Sequence, residues 1–362
     1  MRNFVMTLML VVSLLLVGAC QTPTTVSSDT NSIKYWPAPP EMPRYEYEIT
    51  IHSNLSIHRE SEDSLVRRLL TGTNAIEHKM IKPYYVAARY GRIYISDTAL
   101  NQIHVFDLAR KRYFRLGYRR EGALSDPRGL TVSDTGHVYV VDRTLRKIFI
   151  YDTFGLYLQE IKIDESIIQP TAIAVNSDLK LIYLLDSGGI SSNSHRIIMY
   201  DFDGNQVGSF GSRGGAPGEF NLPNALAINS QGNIYVLDAG NFRVQVFNAT
   251  GNFLSSWGKV GNGLGDFSRP RGLAIDPQDL VYVSDTSFTN IQIFSSEGKL
   301  LLPIGKRSYA DKNGAWSLVA GIAFDERNHL YVIDQAHKKL EIFRKLTEDE
   351  GRQILLAEPD KN

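Results

Sequence analysis

One short pattern recurs six times along this 362-residue chain: an apolar residue, Tyr, an apolar residue, any residue, then Asp. Its tyrosines are Tyr94, Tyr139, Tyr183, Tyr235, Tyr282 and Tyr331, and its aspartates are Asp97, Asp142, Asp186, Asp238, Asp285 and Asp334. Successive aspartates lie 45, 44, 52, 47 and 49 residues apart. A second apolar run follows each one and ends in an aromatic: Phe106, Tyr151, Tyr200, Phe247, Phe294 and Phe343. That aromatic stands nine residues after Asp in five repeats and fourteen in the third, where Ser187 to His195 carries a five-residue insertion. A fixed period of this length decides the architecture before any single strand is assigned.

Each repeat reads as short strands. In the fourth, Ala225 to Ile228, Ile234 to Leu237, Val244 to Phe247 and Phe253 to Trp257 are apolar, β-branched or aromatic, and turn residues such as Gln231-Gly232-Asn233 and Ala249-Thr250-Gly251 separate them. Four short antiparallel strands per repeat describe a propeller blade. Six such blades closed into a ring leave no open sheet edge. The expected fold class is therefore all-β, a six-bladed propeller over residues 45–346. The sixth repeat ends after its third strand, near Lys345, so the ring needs one strand from elsewhere. Tyr45 to Ile51 alternates polar and apolar residues and is the natural outer strand of that blade. Ser61 to Leu70 reads as a short amphipathic helix stopped at Gly72, and 347–362 as a polar, helix-prone tail.

The segments Phe210 to Pro223 and Trp257 to Pro270, each followed by Leu-Ala-Ile and then the Tyr-x-x-Asp element, resemble the inter-blade linker of the NHL repeat. The resemblance runs over roughly 80–345, closest in repeats 4 and 5, and repeat 6 departs from it with Val319 in place of the usual Pro. It implies a propeller whose function sits at the central channel. Some relatives it implies are zinc lyases with channel histidines, and others are calcium-dependent lactonases with channel carboxylates and amides.

The first residues read differently. Arg2 precedes an apolar run from Phe4 to Val17, too short to span a bilayer with any margin and typical of a signal peptide over 1–19. Val17-Gly18-Ala19-Cys20 resembles a bacterial lipobox, which implies acylation of Cys20, the sole cysteine. Gln21, where Asp would favour inner-membrane retention, directs the expectation to the outer membrane. Residues 20–44, rich in Thr, Ser and Pro, form the expected tether. Lys and Arg total 39 and so do Asp and Glu, and this balance with an envelope location argues against nucleic acid as a partner.

A group repeated in every blade serves the blade, so the six aspartates are assigned a structural role. Each is expected to accept backbone N–H bonds and to pair with the basic residue after it: Lys147, Arg243, Lys339 and, across the insertion, Arg196. The positions that open onto the channel follow the linker prolines: Tyr84, Arg128, Thr171, Asn224, Arg271 and Ala320. They supply neither converging histidines for zinc nor enough oxygens for calcium, so no metal or cofactor is expected. None of the eight histidines falls on an innermost strand, and no G-x-S-x-G nucleophile elbow is present. Arg128 and Arg271 come from blades three apart and should face each other across the mouth, with Asp126, Asp276 or an anionic ligand between them. A further basic run, Arg110 to Arg120 with Tyr113, Phe114 and Tyr118 interleaved, suits an anionic polysaccharide, a lipid headgroup or an acidic protein surface. The function these features imply is a lipid-anchored, non-enzymatic envelope scaffold that binds a protein or an anionic ligand. The alternative is a hydrolase or lyase acting in the channel.

Overall fold

A computed structural model of the chain describes residues 34–57, 76–119 and 121–357. The signal segment, Cys20, Ser61 to Leu70 and Arg120 lie outside those residues. Short strands with buried alternation fold into six antiparallel sheets arranged as blades. Blade 1 runs through Pro83–Arg89, Arg92–Asp97, Gln102–Asp107 and Arg112–Leu116. Blade 4 runs through Ala225–Ile228, Ile234–Asp238, Arg243–Phe247 and Phe253–Trp257. The innermost strands, from Pro83–Arg89 of blade 1 to Val319–Phe324 of blade 6, neighbour one another around a central channel. Between each pair of successive blades lies one apolar cluster. Val105, Leu116, Leu130 and Tyr151 fill the gap between blades 1 and 2, for example, and Leu237, Phe267, Val281 and Phe294 that between blades 4 and 5. Stacking two half-apolar sheets buries both faces, which a single blade could not do alone.

The ring closes with the N-terminal strand. Tyr45–Ile51 pairs antiparallel with Lys339–Lys345, from Tyr45 opposite Lys345 to Ile51 opposite Leu340. Tyr35–Trp36 adds a fifth strand outside it. Tyr45 and Ile51 are buried in the clusters on either side of blade 6. The tail forms a helix, Glu348–Ala357, whose first turn is a capping box: Glu350 Oε2 accepts the Thr347 N–H at 2.8 Å while the Thr347 hydroxyl accepts the Glu350 N–H.

The repeated aspartates explain why one end of every blade is rigid. All six are fully buried. Asp285 accepts the N–H groups of Ser268 and Arg269 at 2.8 and 2.9 Å, and those of Ser287 and Phe288 in the turn that follows. Asp97, Asp142, Asp186 and Asp334 likewise hold N–H groups just ahead of the innermost strand and just past themselves. Asp238 accepts the Asn221 N–H ahead of its strand. In five blades the fourth residue after Asp has positive φ, 53 to 56° at Asn101, Arg146, Phe242, Thr289 and Lys338, which turns the chain into the third strand. The expected Asp-to-base pairing occurs in blade 4 alone, where Arg243 Nε lies 2.8 Å from Asp238. Elsewhere the base goes to another partner: Lys147 to Glu160, Lys339 to Glu341 and Asp311, and Arg196 to Ser166. The reason is competition. His337 takes the place at Asp334, 2.8 Å from its carboxylate, and the Ser194 hydroxyl takes it at Asp186.

Candidate functional site

In each blade the second strand ends, at its Asp, on the same face where the innermost strand begins. On that face the channel opens. Most innermost strands start with a register shift, at Pro83/Val86, Pro127/Leu130, Pro170/Ala172, Pro270/Gly272 and Val319/Ile322. Such a bulge re-aims one side chain, and here it sets the residue after the proline at the mouth. Gly272 permits the close approach this needs: a Cβ there would stand 2.6 Å from the Ala320 carbonyl of the next blade.

Two adjoining cavities occupy the mouth. One, of about 420 Å³, is lined by Tyr84, Arg128, Arg143, Thr171, Asn224 and Arg269, among others. Its neighbour, of about 260 Å³, shares Tyr84, Asn224 and Arg269 and adds Arg271. Five of the six mouth positions expected from the sequence are thus brought together. The sixth, Ala320, is buried. Sequence reasoning missed Arg143 and Arg269. Arg143 follows a repeat aspartate and Arg269 precedes a linker proline, so the register of the repeat held the signal for both.

Charge is unevenly balanced across this opening. Arg128 lies 3.0 Å from Asp126, and Arg143 reaches the same carboxylate at 2.8 Å. Asp276, the other carboxylate considered for neutralising the mouth, is engaged elsewhere by Tyr282 and Lys345. Arg271 has no carboxylate partner among the described residues. Burial, with Arg269 and Arg128 close by, holds its guanidinium below the ordinary arginine range, against the opposing influence of Tyr84. Arg128 and Arg271 share the Tyr84 ring: their guanidiniums stand 5.1 and 5.6 Å from its centroid. Thr171 and Ser187 share a hydrogen bond of 2.6 Å on the opposite wall.

The mouth does not suit a divalent cation. Four guanidiniums surround it, and Asp126, its nearest carboxylate, is already shared by two of them. Among the described residues no three His, Cys, Asp or Glu gather into a metal-holding group. The fully buried histidines serve the scaffold. His104 bonds Tyr113 at 2.8 Å and Asp97, and the ring nitrogens of His195 face the carbonyls of Phe220 and Gly189.

The basic run from Arg110 lies apart, at the outer edge of blades 1 and 2. There Arg115, Tyr118, Arg119, Phe154 and Tyr157 line a groove of about 610 Å³. Arg115 and Arg119 both stand over Tyr118, while Arg110 pairs with Asp107.

The NHL repeat profile matches residues 220–247, which cover the end of one linker and the first three strands of blade 4. Solved propellers share the fold. Virginiamycin B lyase of Staphylococcus aureus aligns at 12% identity with a TM-score of 0.55, over 83% of this chain and 100% of its own. A gluconolactonase of Xanthomonas campestris aligns at 16% and 0.53, over 74% and 86% respectively. A luciferin-regenerating enzyme aligns at 14% and 0.52, over 74% and 92%. At these identities the likeness establishes the fold and leaves the chemistry to the residues. No curated protein matches the sequence.

Proposed function

We propose that this protein is a cell-envelope lipoprotein, anchored through Cys20 at the outer membrane, whose propeller is a non-enzymatic recognition module for an anionic group. The group belongs to a protein, a glycan or a phosphorylated envelope component and binds at the channel mouth. One observation carries this reading: Arg128, Arg143, Arg269 and Arg271 converge on the mouth, and among the described residues only Asp126 pairs with any of them. Guanidinium forks bind carboxylate or phosphate in a bidentate way, and a mouth built from them attracts anions and repels metal cations.

The test is capture of partners from an envelope extract on the purified protein. Rebinding of each recovered partner to a variant carrying both Arg128→Ala and Arg271→Ala is then measured. The expected result is a loss of at least about tenfold in affinity, since charge-assisted hydrogen bonds contribute about 1.5–3 kcal/mol each. The thermal midpoint should change little. Unchanged affinity, or collapse of the fold, would assign both arginines to the scaffold. The lyase and lactonase neighbours keep an enzymatic channel as the rival reading. Stoichiometric calcium or zinc held by the purified protein would favour that rival.

A further inference from the structure

The four arginines of the mouth are not equivalent, and the difference identifies what binds there. Arg128 and Arg143 share Asp126, which lies 3.0 Å from the first and 2.8 Å from the second. Their corner of the mouth therefore has one carboxylate for two cations. Arg269 and Arg271 lie two residues apart on the chain at the start of the innermost strand of blade 5. Neither has a carboxylate partner among the described residues. Both line the 260 Å³ cavity with Asn224 and Tyr84, and Arg269, Asn224 and Tyr84 also line the larger cavity that holds Arg128 and Arg143. The Asn224 side-chain amide and the Tyr84 hydroxyl make no hydrogen bond among the described residues, so both have donors to offer, while the Asn224 backbone N–H is spent on the Leu237 carbonyl. The cavity thus presents two unneutralised forks and two neutral donors, with no carboxylate among its lining residues.

Resting on the anion-binding reading above, we infer that the Arg269–Arg271 side of the mouth is a subsite for a phosphate monoester, a compact dianion, rather than for a single carboxylate. Charge and donor count decide between the two. A carboxylate would balance one of the two forks and leave its twin facing like charge in a half-buried opening. A phosphoryl group above its second pKa, near 6, carries almost two charges and three acceptor oxygens. Three oxygens suffice for both forks and for the Asn224 amide at once. Arg271 is the fixed member, half-buried against the Tyr84 ring, and Arg269 is the exposed member that can close on the ligand.

The probes are glycerol phosphate and acetate, titrated calorimetrically into the full chain in detergent at pH 7.5 and low salt. Glycerol phosphate should bind at least about tenfold more tightly than acetate. Arg271→Gln and Arg269→Gln should each weaken it about tenfold, whereas Arg352→Gln, on the C-terminal helix and outside both mouth cavities, should leave it unchanged. Affinity should also fall as pH drops through about 6, where the ester takes up its second proton. A short-chain phosphatidic acid distinguishes the source. Binding more than tenfold tighter than glycerol phosphate identifies a lipid headgroup, and equal binding a soluble ester. Acetate binding as tightly as glycerol phosphate, with both lost in Arg271→Gln, would overturn the dianion subsite and leave the anion-binding mouth standing. Absence of binding by either probe, or affinities indifferent to every arginine variant, would overturn both. Should Arg271→Gln unfold, Arg271→Lys keeps the charge while losing the fork, and its affinity must then fall between those of wild type and Arg269→Gln.

Discussion

At the scale of single residues, the fold turns on carboxylates that hold backbone rather than bases. Asp285 is fully buried and accepts four N–H groups, two ahead of its innermost strand and two in the following turn. Asp285→Ala would leave those donors without partners in a dry site, each at a cost of about 1–3 kcal/mol. The expected loss is at least about 3 kcal/mol in urea unfolding; a loss below about 1 kcal/mol would show that water replaces the carboxylate. The repeat made these six positions legible, because a residue recurring at a constant offset has the same neighbours each time. Their side-chain partners were not legible. His337 replaces the expected base at Asp334, and Arg271 lacks the carboxylate that Arg128 has, since these depend on which loops happen to pass nearby.

His329 gives the pH dependence. It lies between Asp325 and, on the closing strand, Glu48, the latter also 3.9 Å from Arg344. Hydrogen bonding to Asp325, with the Glu48 carboxylate 3.6 Å from its other nitrogen, raises its pKa to about 9. A raised folded-state pKa stabilises the protein fully below the unfolded value, near 6.5. That contribution, about 3 kcal/mol at most, is lost as pH rises towards 9. Stability should therefore decline between pH 7 and 9.5, and His329→Gln should flatten that decline. An identical slope in both proteins would remove His329 from the account.

At the scale of elements, the strand that closes the ring does more than complete a sheet. Tyr45 sends its hydroxyl to that of Tyr282 in blade 5, at 2.7 Å, and Trp36 donates its indole N–H to the Pro303 carbonyl. Ile51 is buried in the cluster shared by blades 6 and 1. Removing residues 45–51 would strip a blade of its outer strand and open two clusters, whereas removing 347–362 deletes a peripheral helix joined through Arg344 and Glu350. The first deletion should lower the thermal midpoint by about 10 °C or more and the second by under about 4 °C. Equal midpoints would mean that the third strand of blade 6 tolerates a bare edge. Alternation in Tyr45 to Ile51 and the missing strand of the sixth repeat made this closure readable from sequence. Less readable was the polar residue seven positions after Asp. There Gln245, Gln292 and Glu341 each reach the preceding inter-blade loop, Gln245 and Gln292 by donating to the carbonyls of Glu219 and Asp266 and Glu341 by accepting the Trp316 indole N–H. Since blades 1 and 2 carry His104 and Phe149 at this offset, no common residue type marked the role.

At the scale of the whole molecule, the ring sets the mouth and the N-terminal side of the chain at opposite ends. Innermost strands begin at the mouth, and the third strand of blade 6 runs from the turn at that face down to Lys345. Tyr45 pairs with Lys345, and Trp36 lies beside Tyr45, so the described chain starts near the far face. Residues 21–33 can span at most about 45 Å at full extension, since each residue adds no more than about 3.5 Å. On the proposed reading, a lipid at Cys20 is joined to the propeller through this stretch. No helix among the described residues is long and apolar enough to cross a membrane, so attachment on this reading rests on the acyl chains. Each buried methylene contributes about 0.8 kcal/mol, and more than one chain is needed for stable anchoring. On this reading Cys20→Ser removes the thiolate that takes the diacylglycerol. The variant should therefore leave the acyl-anchored fraction and be released from membranes by salt, with the propeller's thermal midpoint unchanged because the substitution lies outside it. A Cys20→Ser protein that stays with the membrane through high-salt washes would refute the anchor.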